Sequence, residues 1–131
     1  MVRGGCLCGS VRYEVSGPIK RLVHCHCSMC RKAHGAAFGT YAVLKAEDFR
    51  VVAGEGEIAA YQSSPGVQRT FCRRCGATLQ FKSAKRPQSV ELAAGTLDDD
   101  PGVKPERHIF VGSKAPWFDI TDGLPQHLER S

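Results

Sequence analysis

Short alternating runs of apolar and polar residues mark most of this chain as β-strands. Val11, Tyr13 and Val15 alternate with Arg12 and Glu14, which is the period of two that buries one face of a strand. Further apolar runs, bounded by Gly, Pro, Asp or Ser, predict strands at residues 19–24, 37–44, 49–53, 67–71, 77–81, 90–94 and 108–111. The pattern therefore predicts an all-β fold.

Only one stretch has the pattern of a helix. Ser28 can cap one or two turns that run through Met29 to His34, and Gly35 would end them. We find no repeat and no internal boundary, and 131 residues with 42% hydrophobic and 24% charged residues suit a single domain, residues 1–131. Residues 122–131 form a polar tail that we expect to fray.

The composition indicates the cellular compartment and the role of the cysteines. The chain has no apolar run near the ~18 residues of a membrane span and no apolar segment of a secretory signal, so we expect a cytoplasmic protein with no membrane partner. Thiols stay reduced there, and clustered cysteines are more often metal ligands or catalytic groups than crosslinks. The seven Cys are also an odd number, which internal disulfides cannot use completely.

Two of the cysteine clusters are pairs. Cys6 and Cys8 can face the same way in an extended segment, and the turn from Cys72 to Cys75 is the other common ligand clip, with Gly76 free to take a positive φ. Zn–S bonds of ~2.3 Å place ligand sulfurs about 3.8 Å apart, which both pairs can meet. Two such pairs would make a closed four-cysteine site, although spacing alone does not fix which clusters share a metal or exclude iron.

The third cluster places three thiols, Cys25, Cys27 and Cys30, within six residues. Three protein ligands leave one coordination position open, which is typical of a catalytic zinc rather than a structural one. A closed site of three cysteines and one histidine is the alternative. Its fourth ligand would be His24, His26, His34 or His108.

Binding of nucleic acid is a second class of function to weigh. The net charge is +5, and six basic residues lie close in sequence, namely Arg69, Arg73, Arg74, Lys82, Lys85 and Arg86. A solvated hairpin face explains them as well, and only 8% of the residues are aromatic. Seven thiolates and two Zn²⁺ ions would also lower the net charge by three, to about +2. We therefore do not expect a nucleic-acid partner.

Several motifs together resemble one known family, that of the glutathione-dependent formaldehyde-activating enzymes, whose domain is shared with centromere protein V. The motifs are Gly5-Cys6-Leu7-Cys8-Gly9-Ser10-Val11, Cys25-His26-Cys27-Ser28-Met29-Cys30-Arg31-Lys32, Phe71-Cys72-Arg73-Arg74-Cys75-Gly76, Gly95-Thr96-Leu97-Asp98-Asp99, His108-Ile109-Phe110 with Trp117, and Asp122-Gly123-Leu124-Pro125. The length is similar to that of the short bacterial form.

The resemblance implies a β-tent fold of small antiparallel sheets with zinc knuckles. It also implies two zinc ions per chain, and it agrees with the division of the cysteines argued from spacing. The structural zinc would be bound by Cys6, Cys8, Cys72 and Cys75, and the catalytic one by Cys25, Cys27 and Cys30. The implied activity is carbon–sulfur lyase chemistry, in which glutathione adds reversibly to formaldehyde to give S-hydroxymethylglutathione.

The sequence thus predicts a zinc-dependent lyase that acts on the adduct of a thiol and a small aldehyde, with a non-catalytic two-zinc binding module as the alternative. The open zinc would bind the substrate sulfur as thiolate. Candidates for the proton donor or acceptor are His26, His34 and Asp98, or a water. No feature of the sequence identifies an interface for a homo-oligomer.

Overall fold

The computed structural model describes residues 1–130, and strands dominate it, as the pattern predicts. Its ten strands are β1 (Val2–Gly5), β2 (Arg12–Val15), β3 (Arg21–Cys25), β4 (Gly39–Lys45), β5 (Phe49–Ala53), β6 (Ile58–Ser64), β7 (Val67–Cys72), β8 (Thr78–Ser83), β9 (Ser89–Ala93) and β10 (Pro105–Ile109). The α-helix is α1 (Ser28–His34), and short 3₁₀ turns cover Ala46–Asp48, Glu55–Glu57, Ala94–Thr96 and Val111–Ser113.

The strands form two sheets. A three-stranded sheet has the order β1-β2-β5, and a seven-stranded sheet has the order β10-β3-β4-β9-β8-β7-β6. Neighbours are antiparallel, as expected, except that the edge strand β10 runs parallel to β3. Parallel pairing is possible because β4 to β9 lie between these two strands in the chain, so no tight turn has to join them.

The main hydrophobic core joins the two sheets. Tyr13 and Val15 of β2 are fully buried, as their alternation predicts, and they belong to one cluster with Leu44 of β4 and Leu92 of β9. Burial of a side chain of this size contributes roughly 1.5–3 kcal/mol. This core fixes the position of β3 and β4, from which the middle cysteine cluster projects.

Helix α1 begins and ends close to the predicted residues, with one correction. The cap is Cys27 rather than Ser28, because the Cys27 sulfur accepts the backbone N–H of Cys30 at 3.3 Å. Gly35 ends the helix with φ 61°, a left-handed conformation that costs glycine little. The cap therefore places a metal-ligand candidate at the first turn of the helix.

The structure differs from the sequence prediction in two strands and in the tail. Strand β1 was not predicted because its Arg-Gly-Gly sequence has no apolar alternation, and β6 was not predicted because it is a polar edge strand. The tail does not fray within the described residues. The backbone N–H of His127 donates to the carbonyl of His108, and that of Phe110 donates to the carbonyl of Glu129.

Candidate metal centres and active site

The two cysteine pairs meet at one point, as expected for a closed site. The four sulfurs of Cys6, Cys8, Cys72 and Cys75 lie within 4.8 Å of one another, although 64 residues separate Cys8 from Cys72. The Cys6–Cys8 sulfur separation is 3.6 Å and the Cys8–Cys72 separation is 3.9 Å. These values are close to the roughly 3.8 Å spacing of thiolates around a tetrahedral zinc. The four residues therefore fit a closed metal site.

Hydrogen-bond donors around this closed cluster favour thiolates. The backbone N–H of Val11 donates to the Cys6 sulfur at 3.2 Å. Burial acts against ionisation, but the Val11 N–H and the Ser10 hydroxyl outweigh it, and the pKa of Cys6 is lowered to about 6. Gly76 takes a φ of 79° after the second pair, as predicted. The Ser10 hydroxyl also lowers the pKa of Cys72, whereas the pKa of Cys8 is raised. The surroundings therefore favour the thiolate, which is the form that binds metal, at Cys6 and Cys72.

The middle cysteines form a second cluster with three members. The sulfurs of Cys25, Cys27 and Cys30 lie within 4.8 Å of one another, and two of them are buried. Cys25 ends strand β3, whereas the other two flank the first turn of α1. No histidine belongs to this group among residues 1–130. A metal ion held here would have three ligands among the described residues and a fourth position for a water or a substrate.

The thiols of this open cluster compete for one negative charge. Hydrogen bonds from the Cys25 and Cys30 thiols lower the pKa of Cys27 to about 2, and the same contacts together with burial raise the pKa of Cys25. Three thiolates this close together are stable only beside positive charge, since like charges disfavour ionisation. The donor set fits a thiophilic divalent cation such as Zn²⁺.

A buried arginine contacts this cluster, and the sequence does not indicate this contact. Two N–H groups of Arg69 point at the Cys30 sulfur, each at 3.7 Å, and one of them also donates to the Tyr41 hydroxyl at 3.1 Å. The guanidinium lies 5.0 Å from the centre of the Phe81 ring, and Arg69 is only 8% exposed. Arg69 therefore does not belong to a solvated basic face, in contrast to the exposed residues Arg73 and Arg74.

Tyr41 connects this arginine to a histidine. Its hydroxyl lies 3.3 Å from the Cys30 sulfur and 3.1 Å from Nε2 of His34. Burial, together with the neighbouring Cys30, raises the pKa of Tyr41, so its hydroxyl stays protonated. Because Arg69 donates to the oxygen, the Tyr41 proton is free to point either to sulfur or to the histidine. The alternation of Val67, Arg69 and Phe71 along β7 is the sequence signal that could have indicated an inward arginine.

A cavity of about 300 Å³ opens beside the three sulfurs. Its lining combines the three cysteines with apolar side chains, two arginines and the carboxylate of Glu91, and it includes Tyr41, Arg69, Phe81, Ile109, Phe110 and Arg130. This volume is at the lower end of the range for small-molecule sites. A larger depression of about 700 Å³ lies elsewhere, and no cysteine lines it. The open cluster therefore faces a space that can admit a small ligand.

The three candidate proton-transfer residues lie in different places. His34 reaches the cluster through Tyr41, and burial lowers its pKa, which favours the neutral imidazole. His26 is fully buried and does not line the cavity, since its Nε2 is hydrogen-bonded to Nδ1 of His108 at 2.8 Å. Asp98 is bound to Arg12 beside the three-stranded sheet. Of the three, only His34 has a hydrogen-bonded connection to the open cluster.

Comparisons with known proteins point to one family. A family model described as glutathione-dependent formaldehyde-activating enzyme matches residues 1–113. A Halomonas elongata protein, provisionally named a glutathione-dependent formaldehyde-activating enzyme, is 35% identical over 130 residues, which is 92% of this chain and 81% of that protein. A Schizosaccharomyces pombe protein named an uncharacterized lyase is 30% identical over 119 residues, covering 91% and 85%.

A solved structure has a similar fold. The crystal structure of a Rhodobacter sphaeroides protein superposes with a TM-score of 0.63 at 29% identity, covering 79% of this chain and 91% of that one. No helix among residues 1–130 is both long and apolar enough to cross a membrane.

Proposed function

Because the chain belongs to the glutathione-dependent formaldehyde-activating enzyme family, we propose that it is a zinc-dependent carbon–sulfur lyase acting on the adduct of a thiol and a small aldehyde. The observation that carries the proposal is the open cluster of three sulfurs facing a cavity of about 300 Å³. Three protein ligands with one free position are typical of a catalytic zinc. Glutathione and formaldehyde are the substrates that the names of the relatives suggest.

The two clusters have different roles in this proposal. Cys6, Cys8, Cys72 and Cys75 would hold a structural zinc that joins the β1–β2 loop to the β7–β8 turn. Cys25, Cys27 and Cys30 would hold the catalytic zinc. Bound there, zinc lowers the pKa of a substrate thiol and supports its attack on a carbonyl carbon.

The protein supplies position and charge around the reacting atoms. The rings of Phe81 and Phe110 form an apolar wall of the cavity, which reduces the water that competes for the aldehyde. Arg69 provides positive charge beside the sulfurs. In the addition, a C–S bond forms while the carbonyl π bond breaks, and the proton lost by the thiol ends on the carbonyl oxygen. Holding the two substrates together supplies a large part of the rate.

We place the proton transfer at Tyr41 and His34 rather than at His26 or Asp98. Tyr41 lines the cavity, and its hydroxyl is 3.1 Å from Nε2 of His34. A neutral imidazole can accept a proton through that contact and return it in the reverse reaction. A Tyr41→Phe variant should lower the turnover rate more than it changes the binding of the thiol.

The test is direct. Purified, metal-loaded protein is mixed with glutathione and formaldehyde, and exchange between free and adduct signals is followed by NMR. We expect acceleration over the uncatalysed reaction, and we expect Cys27→Ser to abolish it while Asp98→Asn leaves it unchanged. If the wild-type protein does not accelerate the reaction, glutathione and formaldehyde are not its substrates. A protein that also fails with other thiols would favour the non-catalytic two-zinc module.

A further inference from the structure

A chain of hydrogen bonds, buried at its two histidines and partly exposed at its carboxylate, leads from the residue between Cys25 and Cys27 to the C-terminal segment. His26 stands between Cys25 and Cys27, and its Nε2 lies 2.8 Å from Nδ1 of His108 on strand β10. Nε2 of His108 lies 2.8 Å from Oδ2 of Asp122. Both histidines are at most 1% exposed. The proposed lyase mechanism does not use these hydrogen bonds.

The carboxylate fixes the direction of these hydrogen bonds. Asp122 can only accept, so the Nε2–H of His108 donates to it, and Oδ1 of Asp122 accepts the backbone N–H of Leu124 at 3.0 Å. With one proton on each ring, Nδ1 of His108 accepts and the Nε2–H of His26 donates. This assignment leaves a lone pair, not a proton, on Nδ1 of His26, which has no hydrogen-bond partner. Each ring is therefore held in one orientation.

The backbone connects the same segments. The N–H of His26 donates to the carbonyl of Ile109 at 3.0 Å, so the residue between the two ligands is held at its main chain and at its ring. His108 in turn donates its N–H to the carbonyl of Pro125 and accepts from the N–H of His127, each at 2.9 Å. The segment 122–130 thus completes the framework on which the Cys25–Cys27 ligand pair rests.

We propose that Asp122, His108 and His26 are positioning residues, which hold Cys25 and Cys27 in the arrangement that binds the metal of the open cluster. The proposal rests on the proposed function only in assuming that this cluster binds a metal. Residues that do not bind the metal themselves can orient the ligands and restrict their motion. Removal of such residues commonly lowers the metal affinity 10- to 100-fold. The C-terminal segment would then control how firmly the catalytic metal is held.

A metal ion bound directly by this group is the competing explanation. His24, His108 and Asp122 bring ligand atoms within 4.8 Å of one another, and Nδ1 of His24 is hydrogen-bonded to the Thr40 hydroxyl at 2.7 Å. However, the 2.8 Å contact between His108 and Asp122 already satisfies both atoms as a hydrogen bond. We therefore favour the hydrogen-bonded chain, and the experiment below separates the two.

The experiment compares Asp122→Ala with Asp119→Ala, which removes the same charge three residues away from an exposed side chain. Each protein is loaded with Co²⁺, the metal content is measured, and release to a chelator is followed through the thiolate-to-cobalt absorption. We expect the metal of the open cluster to leave on the order of tenfold faster in Asp122→Ala. The metal of the closed cluster and both metals of Asp119→Ala should leave as in the wild type.

A conservative variant adds a readout that loss of packing would not reproduce. In Asp122→Asn the side-chain oxygen can still accept from His108, so release should return most of the way to the wild-type rate, with the wild-type cobalt spectrum. Equal release by Asp122→Ala and wild type would overturn the proposal, and so would faster release from both clusters alike. A third metal equivalent that disappears in Asp122→Ala would establish the competing metal site instead. A wild type that binds no metal at the open cluster would refute both this inference and the proposed function.

Discussion

Replacing Arg69 by methionine should weaken the open metal site while the closed site is unaffected. The variant keeps a long apolar side chain over Phe81 but removes the charge beside the Cys30 sulfur. Since Arg69 is 8% exposed, water cannot easily replace the guanidinium. The three thiolates that bind the metal would then form in a less favourable environment.

The contact distance gives the size of the effect. Two unit charges 3.7 Å apart interact by about 4 kcal/mol at an effective dielectric constant of 20. The charge of the guanidinium is delocalised, and the group also donates hydrogen bonds to the Tyr41 and Ser63 hydroxyls. We therefore take about half of this value, ~2 kcal/mol, as the expected loss of metal-binding free energy. At 1.4 kcal/mol per tenfold change, this is about a 30-fold higher dissociation constant of the open-site metal.

Competition with a chelator of known affinity measures the two dissociation constants. Arg69→Lys should recover much of the affinity, because it keeps the charge but loses the two-pronged contact. Arg50→Met is the matched control, since Arg50 is 76% exposed and pairs with Glu14 far from the cluster. Unchanged affinity in Arg69→Met, or equal weakening of both sites, would refute the electrostatic role of Arg69.

Three further predictions concern the clusters and the surrounding fold. Cys72→Ser should unfold or aggregate the protein, because metal at a closed site contributes folding free energy. Cys27→Ser should stay folded by circular dichroism and lose one metal. Equal unfolding of both variants would contradict the division into a structural and a catalytic site. Burial lowers the pKa of His24 to about 4. The stability that neutral His24 contributes is therefore present above pH 6.5 and lost as the pH falls through 4. His24→Gln should flatten that part of the plot of unfolding free energy against pH. Gly76→Ala should cost about 1 kcal/mol and lower the melting temperature, because φ is 79° there, while Gly56→Ala, at a position without positive φ, should not.

The grouping of the cysteines could be predicted from the sequence because ligand spacing is a local property. Two thiols at positions i and i+2, or i and i+3, can reach one atom in only a few backbone conformations, and the structure adopts them at Cys6–Cys8 and Cys72–Cys75. The pairing of these two clips across the fold does not follow from spacing alone, and it was expected from the family resemblance. The strands with regular alternation, such as β2, could be predicted for the same local reason.

The features that were missed depend on long-range packing. Tyr41 and Arg69 are 28 residues apart in sequence, and nothing in either segment indicates that strands β4 and β7 face the same cavity. The ordered tail was also missed, because a polar segment without alternation gives no sign that Asp122 meets a buried histidine 14 residues earlier in the chain. Contacts of this kind between polar residues become visible only once the sheet order is known.

The burial of the two clusters follows their charge. Four thiolates with a divalent cation carry a net charge of −2, and this closed cluster lies near the surface, where Cys8 is exposed to water. Three thiolates with the same cation carry −1, and this cluster is more buried, with Arg69 in contact as a single compensating charge. Because an uncompensated buried charge is costly, the arginine and the open cluster depend on each other. Part of the basic surplus of the composition therefore lies inside the protein, beside the sulfurs, rather than on a surface for an acidic partner.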